Sequence, residues 1–375
     1  MTPFRAGAVE AWATCALFVV GLLLWGGLSL VRDPGPISKS ENRFLAQMPD
    51  GAESLGTYVR GLDAYLEDHV AWRDTMISLY SRVKVGVLGA SPSPKLLVGQ
   101  DEWFYLNDTV AVDQYRGLAT LTSDELERWK VVLEERRDWL AERGAAFVLV
   151  LVPNKHQVYS EFMPARITRV GDDEQHAQLA RYLAEHSSLN VVDLMPDLLA
   201  AKKHERVFQK TDTHWNDVGA YLGYERILTA AGVELPEYKD RLVPVPVTLE
   251  RYVDRGIGLT SMAGLSDVYR ENVLKLRIVE PQSKFLGGGK KPYATLEREQ
   301  RPLAHGVPGA PLPRAVVFRD SFSNALIPYL SENFRRVLYV WARDVEGKYV
   351  EREKPDIVIQ EIAGRLLGRE PQGIR

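Results

Sequence analysis

Cysteine is all but missing: Cys15 is the only one in 375 residues, which excludes an intramolecular disulfide, a thiolate zinc site and a thiol nucleophile in any soluble domain. A dominant charge is missing too. Lys and Arg number 47 against 50 Asp and Glu, a net charge of −3, so nothing electrostatic points to nucleic acid as a partner. His69, His156, His176, His186, His204 and His305 show no HxH or HExxH spacing, which argues against a zinc enzyme. No P-loop occurs, and Gly287-Gly288-Gly289 lacks the following helix of a phosphate-binding turn. Neither a metal nor a cofactor is expected.

Charge is also missing from Ala11 to Val31, a run of 21 residues that includes Leu17-Phe18-Val19-Val20-Gly21-Leu22-Leu23-Leu24-Trp25. As a helix it spans ~30 Å, enough to cross a bilayer. No Ala-x-Ala cleavage site follows, so the expectation is an uncleaved transmembrane anchor over 11–31 behind a cytoplasmic tail over 1–10. The flanking charges are balanced, Arg5 and Glu10 before, Arg32 and Asp33 after, and do not orient it. Asp33-Pro34-Gly35-Pro36 ends the run, and residues 32–110 read as a leader that packs on the main domain, with two helices between Gly61 and Val87 interrupted near Val70.

The remainder, 111–375, alternates helix and strand. Thr122 with Glu125 is a capping box for a helix ending near Gly144. Ala146–Val152 is a continuous apolar run suited to a strand buried on both faces. Strands are expected at Val191–Leu194, Ala315–Phe318, Arg336–Trp341 and Asp356–Ile362, with helices near Asp173–His186, His214–Ala230 and Ser321–Asn333. This βαβα rhythm predicts an α/β fold with a doubly wound, mostly parallel sheet, its ligand site at the carboxyl ends of the strands. Residues 236–314 break the rhythm and read as an insertion, either a groove-shaping segment or a partly disordered one.

Ser321 lies at a strand-to-helix turn, where a hydroxyl is presented at the sheet edge and N–H groups face a developing oxyanion. Serine is equally a favoured helix cap. A serine nucleophile needs a base and an orienting carboxylate, and Thr211-Asp212-Thr213-His214-Trp215-Asn216 offers both, although an Asp capping a helix near His214 would look the same. The pattern names Ser321, His214 and Asp212 as catalytic.

The blocks Glu41-Asn42-Arg43, Pro153-Asn154-Lys155 with Val158-Tyr159, Asp212-Thr213-His214-Trp215, Arg319-Asp320-Ser321-Phe322 with Pro328-Tyr329-Leu330, and Lys354-Pro355-Asp356-Ile357-Val358-Ile359 occur in one order. The chain thereby resembles the SGNH-hydrolase-like AlgJ/AlgX-type polysaccharide O-acetyltransferases, and is closer to the membrane-anchored AlgJ type. The resemblance implies Ser321 as nucleophile, His214 as base and Asp212 as its orienter, on a circularly permuted SGNH-hydrolase-like fold. It also implies a single-pass inner-membrane protein whose catalytic domain faces the periplasm. Its acetyl group would come from an MBOAT-type membrane acyltransferase and go to an exopolysaccharide such as alginate. Candidates for the oxyanion hole are the Ser321 N–H, Asn154 and Gly258; Lys155, Tyr159 and Arg319 are candidate substrate contacts, and Asp320 is expected to satisfy backbone donors. A polysaccharide or peptidoglycan O-acetylesterase would use the same triad with water as acceptor, and a non-catalytic scaffold would have no need of it.

Overall fold

The apolar run Ala146–Val152 is a strand, β1, and its side chains alternate between two cores. Val148, Val150 and Val152 enter one apolar cluster, Phe147, Leu149 and Leu151 the other, as the period of two requires of a strand covered on both faces. The computed structural model describes residues 12–21, 23, 27, 35–38, 43–51, 54–70, 72–288 and 302–374.

Six further strands join β1: Val191–Asp193 (β2), Lys284–Gly288 (β3), Leu303–Gly306 (β4), Arg314–Arg319 (β5), Arg336–Trp341 (β6) and Ile357–Ala363 (β7). The sheet order is β2-β1-β7-β5-β6-β4-β3. The first five run parallel, whereas β4 is antiparallel to both β6 and β3. The sheet is therefore mixed. The two antiparallel strands come from the segment read as an insertion, which extends the sheet edge; Leu-Ala-His-Gly and Lys-Phe-Leu-Gly-Gly are too short and too glycine-rich to announce themselves as strands.

Helices cover both faces. Ser123–Ala141 (α1) and Gln175–His186 (α2) place Trp129, Leu133, Leu140, Leu179 and Leu183 in one cluster. Asp217–Glu234 (α3) places Tyr224, Ile227 and Leu228 in the other. The capping box of α1 forms: Thr122 Oγ1 accepts the Glu125 N–H, and Glu125 Oε2 accepts the Thr122 N–H at 2.8 Å. The helix expected over Ser321–Asn333 is instead a chain of short turns, Phe322–Ala325, Ile327–Leu330 and Ser331–Asn333. Pro328 lacks the N–H a continuous helix would need there.

The chain divides into two compact units. The sheet lies in Pro94–Asp254 with Arg270–Arg375. The other unit, Met1–Ser93 with Arg255–Tyr269, contains the helices Leu55–Asp68 and Arg73–Gly86, the second entered through Trp72 in the left-handed region. Residues 12–21 are helical, and among the described residues no helix is long and apolar enough to cross a membrane. Much of the expected anchor, residues 11, 22, 24–26 and 28–31, lies outside the described residues, as do Glu41 and Asn42.

Candidate active site

Two loops meet beside the carboxyl edge of the parallel strands. The first, between Val207 and Asn216, is closed by a bridge between Phe208 and Trp215 and by the Gln209 N–H bonding to His214 O at 3.1 Å. α3 begins directly after it. Its cap is Asn216, whose Oδ1 accepts the Gly219 N–H at 3.1 Å. Asp212 is thereby relieved of the capping role that the sequence alone left open. Gly219 is required by a close approach: a Cβ there would lie 2.3 Å from Val207 O.

Asp212 and His214 face each other at 3.2 Å, Oδ1 to Nδ1, and His214 Nε2 lies 2.8 Å from Ser321 Oγ. The three side chains form one relay, with His214 and Asp212 partly open to solvent. Burial pushes the Asp212 carboxyl up, but the hydrogen bond and charge of His214 and the Thr213 N–H outweigh it and hold it below the ordinary aspartate value. It stays ionised opposite the ring. Trp215 ties the two loops together, since its buried indole N–H donates to Phe322 O at 3.0 Å.

Each loop is held from beneath by a buried glutamate. Glu271, on the strand Arg270–Ile278, accepts the Thr211 N–H at 2.9 Å and the Thr211 hydroxyl at 2.6 Å, and pairs with Arg206. Glu361, on β7, accepts the Asp320 N–H at 3.0 Å and the Ser323 hydroxyl at 2.9 Å. Asp320 accepts the Phe322 N–H at 2.8 Å and the Ala363 N–H at 3.0 Å, fixing the turn that presents Ser321. Burial and the adjacent Asp320 charge push Glu361 well above the ordinary glutamate value. Neither glutamate carried a sequence signal, because each lies 38 or more residues from the loop it holds.

The remaining candidates are placed as follows. Among the described residues the Ser321 N–H has no acceptor, so it is available to an oxyanion. Asn154 is buried, donating to Gln114 Oε1 at 2.7 Å and accepting the Arg365 N–H at 3.0 Å. Gly258 lies in the other unit, at φ +48°, before the short helix Leu259–Met262. Lys155, Tyr159 and Arg319 are turned inward, exposed by 1%, 5% and 3%, and their polar atoms hold the loops. Lys155 Nζ donates to the carbonyls of Phe104, Lys210 and Asp212 at 2.6–2.9 Å; burial draws its pKa down, opposed by Asp212 and Glu271. The Tyr159 hydroxyl accepts the Val207 N–H at 3.0 Å. Arg319 donates to Asn324 Oδ1 at 2.7 Å and to Asp320 O at 3.1 Å, its guanidinium lying over Trp341. Among the described residues no cluster of His, Cys, Asp or Glu is arranged to hold a metal ion.

Residues 96–246, which include Asp212 and His214 but not Ser321, match the profile of the family described as SGNH hydrolase-like domain, acetyltransferase AlgX. Over 228 residues the chain is 28% identical to the probable alginate O-acetylase AlgJ of Pseudomonas syringae pv. tomato, covering 59% of this chain and 52% of that one. It is 29% identical over 141 residues to the protein so named from Pseudomonas putida, covering 36% and 34%. The chain thus spans about half and about a third of the length of these curated relatives. The structure of Bacillus cereus PatB1 superposes with a TM-score of 0.53 at 18% identity, covering 72% of this chain and 96% of that one, a likeness of fold. The profile and the curated relatives bear out the kinship read from the motifs, and the fold is an SGNH-like α/β fold with a mixed central sheet.

Proposed function

We propose, with AlgJ/AlgX kinship as the premise, that this chain is an O-acetyltransferase working through an acetyl ester on Ser321. The observation that carries the reading is the continuous relay from Asp212 through His214 to the Ser321 hydroxyl. Ser321 Oγ attacks the acetyl carbonyl of the donor as its proton passes to His214 Nε2. The tetrahedral intermediate collapses, His214 returns the proton to the leaving group, and the acetyl remains on Oγ. A sugar hydroxyl then attacks, losing its proton to His214, and collapse transfers the acetyl to the sugar and the proton back to Ser321. Asp212 keeps one imidazole nitrogen protonated and offsets the imidazolium charge. Water is always in excess, so transfer needs the acceptor held against the acyl carbon at high effective molarity.

The acceptor in this reading is an exopolysaccharide, as the alginate O-acetylase names of the relatives suggest. The donor is an acetyl group delivered by an MBOAT-type membrane protein. The Asp and His precede the Ser along the chain, as in a circularly permuted SGNH domain. The charge-free run 11–31 anchors the chain in the inner membrane with the catalytic domain in the periplasm. Supporting this, Trp12, Leu17, Phe18 and Leu23 are exposed by 66% or more, apolar surface suited to lipid. The test is to mix the protein with an activated acetyl ester, quench early, digest it, and weigh the peptide carrying Ser321. An added acetyl on Ser321, absent in His214→Ala, is expected; label elsewhere, or equal label in both, overturns the mechanism.

A further inference from the structure

The stretch 210–212, which carries the carboxylate of the triad, has no helix or strand of its own, and two buried side chains hold it from either side. Glu271 takes its N–H groups, that of Lys210 at 3.3 Å and that of Thr211 at 2.9 Å. Lys155 takes its carbonyls. The Lys155 Nζ stands 2.9 Å from Lys210 O, 2.9 Å from Asp212 O and 2.6 Å from Phe104 O, and the Phe104 N–H donates to Lys210 O at 2.9 Å. Lys155 opens the short helix Lys155–Val158 just past the end of β1, so this clamp refers the backbone of Asp212 to the sheet.

All three partners are carbonyl oxygens, and none is a carboxylate. An ammonium has three N–H groups and no lone pair, whereas a neutral amine has two and would turn its lone pair onto one of the three oxygens. The geometry therefore asks for the charged form in a place where burial opposes it. Burial draws the Lys155 pKa down, Asp212 and Glu271 oppose that, and Arg206 and Lys210 reinforce it. The ring faces of Trp103 and Tyr105, 4.8 and 5.0 Å from Nζ, also favour the cation. The charge acts in turn on the triad: burial raises the Asp212 carboxyl, while His214, the Thr213 N–H and the Lys155 charge together lower it.

We propose that Lys155 is a positioning residue of the triad: its ammonium, spanning three carbonyls, keeps the Asp212 carboxylate in line with His214, and the relay comes apart when that ammonium loses its proton. The inference rests on the acetyl-transfer reading for its rate measurement, whereas NMR tests it without chemistry. In 15N-labelled protein, Lys155 Nζ should give an ammonium signal at pH 7, identified by its contacts with the Trp103 and Tyr105 rings. A downfield proton shared by Asp212 and His214 should accompany it, and should be lost in Lys155→Met. Labelling of Ser321 by p-nitrophenyl acetate, read from the acetylated peptide after an early quench, should fall as the ammonium titrates, below the ordinary lysine value of about 10.4. Lys155→Met fills the space without the charge; it should acylate about a hundredfold more slowly, as a misplacement near 1 Å would, with no such alkaline fall. Lys155→Arg keeps a charge that does not titrate there, so it should retain more of the rate, again with no fall. A neutral Lys155 amine at pH 7, a shared proton unchanged in Lys155→Met, or an alkaline fall that persists in that variant overturns the proposal. If Lys155→Met does not fold, the wild type decides: labelling that stays level while the ammonium titrates rejects the proposal. If Ser321 is never acetylated in the wild type, the acetyl-transfer reading fails, and the NMR comparison still decides this one.

Discussion

The two loops that meet at His214 and Ser321 are tethered by the same device in opposite electrostatic settings. Glu271 accepts an N–H and a hydroxyl from Thr211; Glu361 accepts an N–H from Asp320 and a hydroxyl from Ser323. Both carboxyl groups are essentially inaccessible. Glu271 faces a guanidinium, so its charge is balanced where it is buried. Glu361 faces Asp320, a second carboxyl, and burial together with that charge pushes its pKa well above the ordinary glutamate value. The loop of Asp212 and His214 is thus pinned by an ion pair, and the turn of Ser321 by a carboxyl biased toward its protonated form. The hydrogen-bond pattern alone would call these tethers equivalent; the neighbouring charge decides how each responds to mutation and to pH.

The largest effect that breaks the equivalence is expected from Glu271→Gln, which leaves Arg206 without its partner. Removing one member of a buried pair costs on the order of 3 kcal/mol; chemical denaturation should show that loss, with acylation of Ser321 slowed as Asp212 loses its frame. Glu361→Gln should do the reverse near neutral pH. A carboxyl whose pKa is raised on folding favours the folded state when protonated, so the contribution of Glu361 to stability should be fully present at low pH. That contribution should be lost as pH rises from the ordinary glutamate value toward the raised one. Glutamine keeps an oxygen acceptor and has no proton to lose, so melting curves at pH 8 should lie a few degrees above wild type and converge near pH 4. A variant less stable than wild type at every pH would mean that Glu361 is buried as a charge. The smallest effect should come from Asn216→Ala, which removes the cap of α3 and costs about 1 kcal/mol. Because Glu271, and not the cap, holds Thr211 next to Asp212, acylation should suffer less than in Glu271→Gln; a stopped-flow burst experiment on both variants makes that comparison.

The triad was legible because its residues sit in two short blocks whose chemistry is written locally, Asp212-Thr213-His214-Trp215 and Arg319-Asp320-Ser321-Phe322. The five parallel strands were legible for a similar reason: each is an apolar run between helical stretches. What could not be read is what depends on contact across the chain. Lys155, Tyr159 and Arg319 were read as candidate substrate contacts, but sequence does not say which way a side chain turns, and all three point inward to hold carbonyls, an N–H or a side-chain amide. Glu271 lay in a segment whose glycine and proline content masked two sheet strands and a tether.

The order in which the sheet is completed follows from the place of β7. It is the last of the seven strands along the chain and stands between β1 and β5, bonded to both. Until residues 357–363 arrive, the two halves of the parallel sheet have no shared neighbour, and Glu361, Ala363 and Arg365 are absent from the edge where Ser321 must be held. Pairing of β7 with β1 joins residues some 210 positions apart, a long-range closure of the kind that makes folding slow. A chain still being synthesised therefore has Asp212 and His214 well before, and Ser321 shortly before, the strand that frames them. The alignment of Ser321 with His214 waits until the last strand has entered the middle of the sheet.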